Sequence, residues 1–308
     1  MQMKIAVTGA SGFIGSRLVK LLQDEGHRVV ALTRNETQSR PIFPKTLFPA
    51  VDLVQYDPYR LDDWARALEG CNGVVHLAGA PIAGRWTPDF KSQIKQSREI
   101  GTRRIVEAMA QTSPRPSVLV SSSAARYYGS SETATFDETS PPHPGQDFLA
   151  GVCRIWEAEA NAAEGLGLRT VILRHGIVLD MTPRFRNVLK TFGSFVGGRI
   201  GSGRQWLSWI HREDTVRIIL NALTDEAMRG VYNATGPQPV RMEDFTYELG
   251  AAVGGRFRVP VPGFIIQGLL GDGATVILDG QRVVPARLVS EGFSFRLPEL
   301  RRAIASSL

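Results

Sequence analysis

Three glycines near the N-terminus have the spacing of a phosphate-binding turn. The run from Gly9 to Gly15 reads Gly-Ala-Ser-Gly-Phe-Ile-Gly, and it lies between a short apolar segment and an amphipathic one. Glycine permits positive φ at the turn and a close approach of the pyrophosphate to the backbone. The free N–H groups and the dipole of the following helix favour an anion. In this strand–turn–helix context the run predicts a dinucleotide site.

The end of the second predicted strand indicates which nicotinamide cofactor is bound. A site for NAD usually has Asp or Glu there, which holds the ribose 2′-hydroxyl. This strand ends in Leu32-Thr33-Arg34-Asn35. The planar guanidinium of Arg34 suits a 2′-phosphate, which a carboxylate would repel. We therefore expect Thr33 and Arg34 to favour NADP(H) over NAD(H).

The first half of the chain alternates apolar strands with helices, and these elements must position the glycine turn. We predict strands at Lys4–Thr8, His27–Thr33, Asp52–Tyr56, Gly73–Leu77, Ser117–Ser121 and Arg169–Leu173. Helices are predicted near 13–22, 61–68, 88–111 and 147–164. Apolar strands separated by helices specify a parallel sheet that is covered on both faces. The fold class is therefore α/β, a doubly wound parallel sheet of the Rossmann type, with its ligand at the carboxyl ends of the strands.

The second half is less regular. A glycine-rich loop spans Arg199 to Arg204, and short helices broken by Gly and Pro follow Gly236-Pro237. We predict an NADP(H)-binding domain over residues 1–175, to which 205–235 contribute. Residues 176–204 and 236–308 would then form a smaller C-terminal substrate lobe.

Composition excludes several classes of function. The net charge is +6 at pH 7, but the arginines are scattered and no basic run is interleaved with aromatic residues. We therefore expect anionic small ligands rather than nucleic acid. No apolar run is long enough to span a bilayer, and we expect no signal peptide because the first residues lead directly into a predicted strand. Cys71 and Cys153 make neither a disulfide framework nor a zinc site, so we expect no metal and a cytoplasmic protein.

Several sequence blocks resemble the extended short-chain dehydrogenase/reductases, the sugar-nucleotide epimerase and dehydratase group. The first block is Val7 to Gly15, whose first two glycines stand one residue further apart than in the classical fingerprint. Further blocks are His76 to Ile82, Ser97-Arg98 with Gly101-Thr102, Tyr127-Tyr128-Gly129, Trp156-Glu157, Trp209 to His211 with Asp214, and Gly280 to Pro285. Together they resemble the atypical subfamily 39U, the "epimerase family" proteins, some historically labelled cell-division inhibitors. This resemblance runs from end to end.

The resemblance implies NADP(H) as the cofactor and leaves the substrate unassigned. By matching positions, it implies that the pyrophosphate lies along Gly9, Ser11, Gly12, Phe13 and Ile14. It implies that Asp57 approaches the adenine. It implies that the ribose on the nicotinamide side lies over Leu77, Ala78, Gly79 and Ala80, and that Arg174 and Gly176 border the nicotinamide end.

The catalytic pattern of the resembling enzymes is incomplete in this chain. They use a Tyr, a Lys four residues later, and a Ser or Thr, but no tyrosine here is followed by lysine at that spacing. In the helix where the pair belongs, Leu149 takes the tyrosine position and Cys153 the lysine position. Neither can do that acid–base work in the same way. Cys153 remains a candidate for cofactor contact and for a redox-sensitive thiol near the nicotinamide.

Hydroxyl groups remain at the expected catalytic edge. Ser123 is our first choice, and Ser122 our second, for a hydroxyl that polarises a substrate oxygen. The alternative is that these serines satisfy backbone groups at a strand end. Tyr127 or Tyr128 could supply a substitute hydroxyl, or both could pack a substrate loop.

Histidines in two of the blocks have structural explanations. We expect His76 to be buried in the sheet. We expect His211 to be a satisfied structural histidine and not one half of a catalytic pair with Asp214.

Two functions stay open at this point. One is an NADP(H)-dependent oxidoreductase or epimerase-like enzyme that acts on a small carbonyl, hydroxyl or sugar-nucleotide-like substrate. The retained serines and the nicotinamide-side loop favour it. The other is a non-enzymatic NADP(H)-binding redox sensor that acts on a protein partner, which the loss of Tyr and Lys favours. We prefer the enzyme, and a homodimer is compatible with either function.

Overall fold

The structure is a computed structural model that describes residues 2–180, 198–255 and 259–307. Its strands are β1 (Lys4–Thr8), β2 (Arg28–Thr33), β3 (Val51–Gln55), β4 (Gly73–His76), β5 (Val118–Ala124), β6 (Thr135–Phe136), β7 (Arg169–His175), β8 (Ile177–Leu179), β9 (Trp206–Leu207), β10 (Trp209–His211), β11 (Gly230–Ala234), β12 (Val240–Arg241) and β13 (Arg282–Val283). Its α-helices are α1 (Phe13–Asp24), α2 (Glu36–Ser39), α3 (Pro88–Gln111), α4 (Phe148–Asn161), α5 (Arg212–Thr224), α6 (Met242–Ala252), α7 (Gly263–Leu270), α8 (Thr275–Leu278), α9 (Ala286–Ser290) and α10 (Leu300–Ser307).

A seven-stranded parallel sheet forms the centre of the fold, in the order β11-β7-β5-β4-β1-β2-β3. Helices α1 and α5 cover one face, where Leu18 and Ile219 join the same buried cluster. Helices α3 and α4 cover the other face through a second cluster that includes Met109 and Ala160. The predicted doubly wound α/β fold is therefore confirmed, and its strands are buried on both faces as that fold requires.

Local sequence signals account for where the helices begin. Helix α3 starts at Pro88 after Thr87, whose hydroxyl accepts the N–H of Phe90 at 3.2 Å. Helix α4 follows Asp147, whose carboxylate accepts the N–H of Ala150 at 2.8 Å. Both are N-cap arrangements that satisfy N–H groups left free at a helix start. They fix the residues at which the two helices begin.

The clearest differences from the prediction are in two strands of the central sheet. Strand β5 continues to Ala124, three residues past the predicted end at Ser121, because it pairs in register with β7 as far as His175. The three serines therefore lie inside the strand. Strand β11 was missed, since Gly-Val-Tyr-Asn-Ala carries too short an apolar run to indicate a strand by itself.

Three two-stranded pairings of the described residues lie outside the central sheet. They are β8 with β10, β9 with β12, and β6 with β13. A separate apolar cluster there includes Trp209, Met242 and Ile304. Residues 181–197 of the predicted lobe lie outside the described residues, and the division into two domains stays a prediction. Among the described helices, none is both long enough and apolar enough to cross a membrane.

Candidate cofactor site and catalytic edge

The glycine turn between β1 and α1 depends on glycine at its first and last positions. Gly9 has φ +65°, and its carbonyl accepts the N–H of Gly12 at 2.9 Å. A Cβ on Gly15 would lie 2.1 Å from the Gly9 oxygen. Gly12 is the N-cap of α1 and provides no side-chain cap. The first N–H groups of α1 are therefore open to an anion at the turn.

A cavity of about 570 Å³ opens over this turn at the carboxyl edge of the sheet. Of the predicted cofactor residues, it is lined by Gly9, Ser11, Gly12, Phe13, Ile14, Thr33, Arg34, Leu77, Ala78, Gly79 and Ala80. Lining residues that the sequence did not single out include Gln38, Ile42, Tyr56, Pro58, Tyr59 and Ser97. One cavity thus connects the turn, the end of β2 and the loop after β4, as an extended dinucleotide requires.

A larger depression, of about 930 Å³, lies at the opposite edge of the sheet, between residues such as Met3, Ser117 and Arg229. Its lining contains none of the residues from Gly9 to Gly15. Ligands of open α/β sheets bind outside the carboxyl ends of the strands. We therefore assign the cofactor to the smaller cavity.

Arg34 lies exposed at the rim of the cavity and makes no hydrogen bond or ion pair with any described residue. Its neighbour Thr33 is buried, and the Thr33 hydroxyl lies 2.7 Å from that of Ser39. The end of β2 therefore combines a fixed backbone with an unpaired guanidinium. This arrangement fits a 2′-phosphate.

Asp57 does not line the cavity. Its carboxylate accepts the N–H of Tyr59 at 2.8 Å and so shapes the turn after β3. The predicted approach of Asp57 to adenine stays a prediction, and the two residues that follow it, Pro58 and Tyr59, line the cavity. Their signal in the sequence was only their position directly after a strand.

The loop after β4 is held in place by hydrogen bonds from β1 and from α3. The Thr8 hydroxyl accepts the N–H groups of Leu77 and Ala78, each at 3.2 Å. Ala80 donates its N–H to Ser97 Oγ at 3.0 Å, and its carbonyl accepts from Arg98 Nη1 at 3.1 Å. Helix α3 thus clamps the loop through two consecutive side chains. Sequence reasoning quoted Ser97-Arg98 but assigned it no role.

His76 is buried in the sheet, as predicted, with 1% of its surface exposed. Its Nδ1 lies 2.8 Å from the Thr8 hydroxyl and its Nε2 lies 3.1 Å from that of Thr102. Burial, reinforced by the nearby charge of Arg98, lowers the pKa of His76 to about 4. The imidazole is therefore neutral at pH 7 and serves as a bridge between β1, β4 and α3.

Ser123 lies in a buried polar network beyond this loop. Its hydroxyl donates to Glu157 Oε1 at 2.6 Å. Arg174 makes two parallel bonds to the same carboxylate, each of 2.8 Å, and its Nη1 donates to the Tyr128 hydroxyl at 2.8 Å. Tyr128 in turn donates to Asn233 Oδ1 at 2.8 Å. The hydroxyl protons of Ser123 and Tyr128 thus point into the protein.

The other two hydroxyl candidates are held differently. Ser122 Oγ lies 3.2 Å from Nε2 of His175, and burial lowers the pKa of that histidine to about 4. The ring of Tyr127 is half-buried, with the Arg174 guanidinium 3.4 Å from its centroid. The Tyr127 hydroxyl has no hydrogen-bond partner among the described residues. Of the four predicted hydroxyls, it is the one left open.

The residues at the positions of the missing Tyr and Lys are both buried. Leu149 packs with Ile94 and Val152, and the aromatic rings of Trp86 and Phe148 lie against them. Burial and the charge of Glu157 raise the pKa of the Cys153 thiol to about 12, against the opposing effect of Arg98. A redox-sensitive thiol needs an accessible thiolate. The structure therefore argues against that role for Cys153, which does not line the cofactor cavity.

Arg174 and Gly176 likewise do not line the cofactor cavity. Arg174 is 4% exposed and is engaged by Glu157. A Cβ on Gly176 would lie 2.4 Å from the backbone oxygen of Ser208. Arg174 thus lies between Glu157 and the ring of Tyr127, and the position of Arg174 and Gly176 beside the nicotinamide stays a prediction.

His211 and Asp214 have structural partners, as expected. His211 caps α5 by accepting the N–H of Glu213 at 3.1 Å. Asp214 is fully buried and accepts the backbone N–H groups of Arg296 and Leu297 at 2.7 and 2.9 Å. This carboxylate therefore fastens the C-terminal segment to α5.

Together, the sheet order, the glycine turn and the cavity over it define a Rossmann-type dinucleotide-binding protein. The chain belongs to the NAD dependent epimerase/dehydratase family, whose model matches residues 5–235. A second family model, described as a domain of unknown function (DUF1731), matches residues 261–307.

Similar proteins match this chain along nearly its whole length. A chloroplastic "epimerase family protein SDR39U1 homolog" of Arabidopsis thaliana is 42% identical over 98% of this chain and 86% of its own. "Epimerase family protein YfhF" of Bacillus subtilis is 34% identical over 98% of this chain and 97% of its own. The crystal structure of human epimerase family protein SDR39U1 with NADPH is 30% identical, with a TM-score of 0.85 over 99% of both chains. The resemblance seen in the sequence is confirmed.

Proposed function

We propose that this protein binds NADP(H) in the cavity over the glycine turn and uses it as an oxidoreductase or epimerase-like enzyme. The observation that carries the cofactor assignment is the unpaired Arg34 at the end of β2, next to a turn in which only glycine fits. The similarity to a human protein solved with NADPH supports it. When bound, the cofactor supplies hydride transfer at its nicotinamide ring.

Different residues of the chain would bind different parts of the cofactor. In this proposal the first N–H groups of α1 receive the pyrophosphate and Arg34 pairs with the 2′-phosphate. The loop from Leu77 to Ala80 supports the nicotinamide side. Because Ser97 and Arg98 fix that loop before any ligand arrives, little ordering remains to oppose binding.

Tyr127 is the group we propose for donating a proton to a small carbonyl substrate, or for accepting one from a small hydroxyl substrate. Its hydroxyl is open among the described residues, while those of Ser123 and Tyr128 donate to Glu157 and Asn233. The Arg174 guanidinium lies against the Tyr127 ring and keeps it in one orientation. Ser123 then acts as a support for Glu157 instead of polarising the substrate.

The alternative, a non-enzymatic NADP(H)-dependent sensor with a protein partner, is favoured by one observation. Leu149 and Cys153 place an apolar side chain and a protonated thiol where acid–base residues would stand.

We also keep as proposals the predicted domain division and a cytoplasmic location. Two free, buried cysteines are compatible with a reducing compartment.

The cofactor assignment is tested by titrating NADPH and NADH into the wild type and Arg34→Ala. We expect the preference for NADPH to fall by at least about tenfold, since a charge-assisted contact contributes about 1.5–3 kcal/mol. Arg40→Ala is the matched control, because Arg40 is nearby and pairs with Glu36. An unchanged ratio of the two dissociation constants in Arg34→Ala would refute the assignment.

The enzymatic proposal is tested by following NADPH oxidation against a panel of carbonyl compounds and sugar nucleotides. With a substrate found, Tyr127→Phe should lower kcat by about 100-fold or more while the NADPH affinity stays unchanged. Full activity in Tyr127→Phe would remove Tyr127 from the mechanism. No turnover, together with a protein partner captured only in one redox state of the cofactor, would favour the sensor.

A further inference from the structure

A second cationic site lies around Trp206, outside the cofactor cavity. The guanidinium of Arg241 lies 3.8 Å from the centroid of the Trp206 ring, and that of Arg282 lies 4.9 Å from it. The two arginines come from β12 and β13, which are neighbours of β9 and β6 in separate small sheets. None of these residues lines the cofactor cavity.

The positive charge of this group is not balanced by carboxylates among the described residues. Glu132 is the carboxylate at the site, and it pairs with Arg204 at 2.7 Å. Arg241 donates to the backbone carbonyl of Glu132 at 3.2 Å and not to its side chain. Arg282 is exposed and has no hydrogen bond or ion pair within the described ranges. The guanidinium groups of Arg241 and Arg282 therefore both lie against the Trp206 ring without a carboxylate partner among the described residues.

Carboxylates that are near in sequence do not supply the missing charge. Asp279 pairs with Arg126. Glu243, in the first turn of α6, forms no ion pair with the three arginines in the part of the chain that the structure describes. The excess is therefore a property of the site itself.

The site is held in one geometry before any ligand binds. The indole Nε1 of Trp206 donates to the Glu132 carbonyl at 2.9 Å. A Cβ on Gly280 would lie 1.9 Å from the Trp206 oxygen, so only glycine allows the strand that carries Arg282 to run this close. Cations fixed over an aromatic ring lose less conformational entropy on binding an anion than free surface arginines do.

We propose that Arg241 and Arg282, supported by Trp206, form a binding site for an oxyanion of the phosphate or carboxylate class. Guanidinium groups bind such oxyanions through paired, charge-assisted hydrogen bonds. Glu132 limits the site by neutralising Arg204, the third arginine. The net charge of +6 attracts anions to the protein as a whole, and this site is where we expect one to bind.

The test uses the full chain saturated with NADPH, so that the cofactor cavity is filled. Inorganic pyrophosphate and succinate are titrated separately, and binding is followed by calorimetry and by the indole N–H resonance of Trp206, assigned with Trp206→Phe. Arg282→Ala removes an exposed side chain with no other partner, so it should fold normally. Arg229→Ala is the control, because it removes the same charge from an exposed position at the opposite edge of the sheet.

We expect one of the two anions to shift the Trp206 resonance, and Arg282→Ala to weaken its binding by at least about fivefold. Glu132→Gln should tighten binding about two- to threefold, because it frees Arg204. Arg229→Ala should change binding by less than about twofold. Pyrophosphate as the better ligand assigns a phosphate, and succinate a carboxylate. An unmoved Trp206 resonance, or equal losses in Arg282→Ala and Arg229→Ala, would overturn the proposal.

Discussion

The two ends of the carboxyl edge differ in where their polar groups point. At the glycine turn, the N–H groups of α1 and the guanidinium of Arg34 are open to the cavity. At the ends of β5 and β7, the hydroxyl of Ser123 and the guanidinium of Arg174 are bonded inward to Glu157. A pre-organised binding site leaves its donors unpaired, whereas a structural network pairs them all. The carboxyl edge thus has an open end, where the donors at the glycine turn are unpaired. It also has a closed end, where the polar groups near the predicted catalytic residues are hydrogen-bonded inside the protein.

The strongest test of this contrast is Glu157→Gln. It leaves the Arg174 charge buried without its carboxylate, so the free energy of unfolding should fall by about 3–5 kcal/mol. Chemical denaturation measures this, and the NADPH affinity of the folded variant should stay within about twofold. The control is Glu159→Gln on the same helix, whose pair with Arg103 is exposed and should contribute less than about 1 kcal/mol. Equal effects of the two substitutions would contradict the contrast.

Gly15→Ala probes the open end. A Cβ there meets the Gly9 oxygen at 2.1 Å, so the turn must shift. We expect a loss of about 1–3 kcal/mol in stability and at least about tenfold in NADPH affinity, by thermal unfolding and titration. Gly165→Ala, whose Cβ would meet nothing within 4 Å, should change neither. Retained affinity in Gly15→Ala would show that the turn tolerates displacement.

Low pH should destabilise the protein through His76, the buried histidine at the end of β4. His76 has a pKa of about 4 in the folded chain and about 6.5 when unfolded, so the unfolded state binds more protons between these values. Its contribution to stability is therefore present above pH 6.5 and is lost as the pH falls toward 4. From pH 6.5 to 5 this amounts to about 2 kcal/mol. Denaturation at both pH values should show a smaller decrease in His76→Gln; the same decrease in both proteins would exclude His76 as the cause.

The smallest effect is expected on the two cysteines, of which Cys153 lies at the closed end, near Glu157. Burial raises the pKa of both thiols, and that of Cys153 to about 12. Iodoacetamide should therefore label neither in the native protein at pH 7.5 and both after denaturation, as measured by mass spectrometry. Rapid native labelling of Cys153, lost in Cys153→Ser, would restore the redox role that the structure argues against.

The fold and the open end could be predicted from the sequence because their signals are local. The run from Gly9 to Gly15 and the apolar strands each carry their own pattern. The closed end could not, because Ser123 meets Glu157 across 34 residues, and only the register of β5 with β7 brings Arg174 to them. Serines in a row look the same whether they face a substrate or a buried carboxylate. The sequence showed the block with Ser97 and Arg98 and the block with Ala80, but not the contact between them.

The surroundings of Cys153 also constrain how this protein can change over evolutionary time. A lysine at this position would place a second positive charge beside Arg98, next to a Glu157 that already pairs with Arg174. Restoring the familiar Tyr and Lys by two substitutions would therefore be strongly destabilising, however useful the chemistry. Loss of Arg98 beforehand would remove that repulsion, at the expense of the clamp on Ala80. The two changes therefore depend on each other, which is epistasis, and it makes the full catalytic set difficult to gain from this sequence by single substitutions.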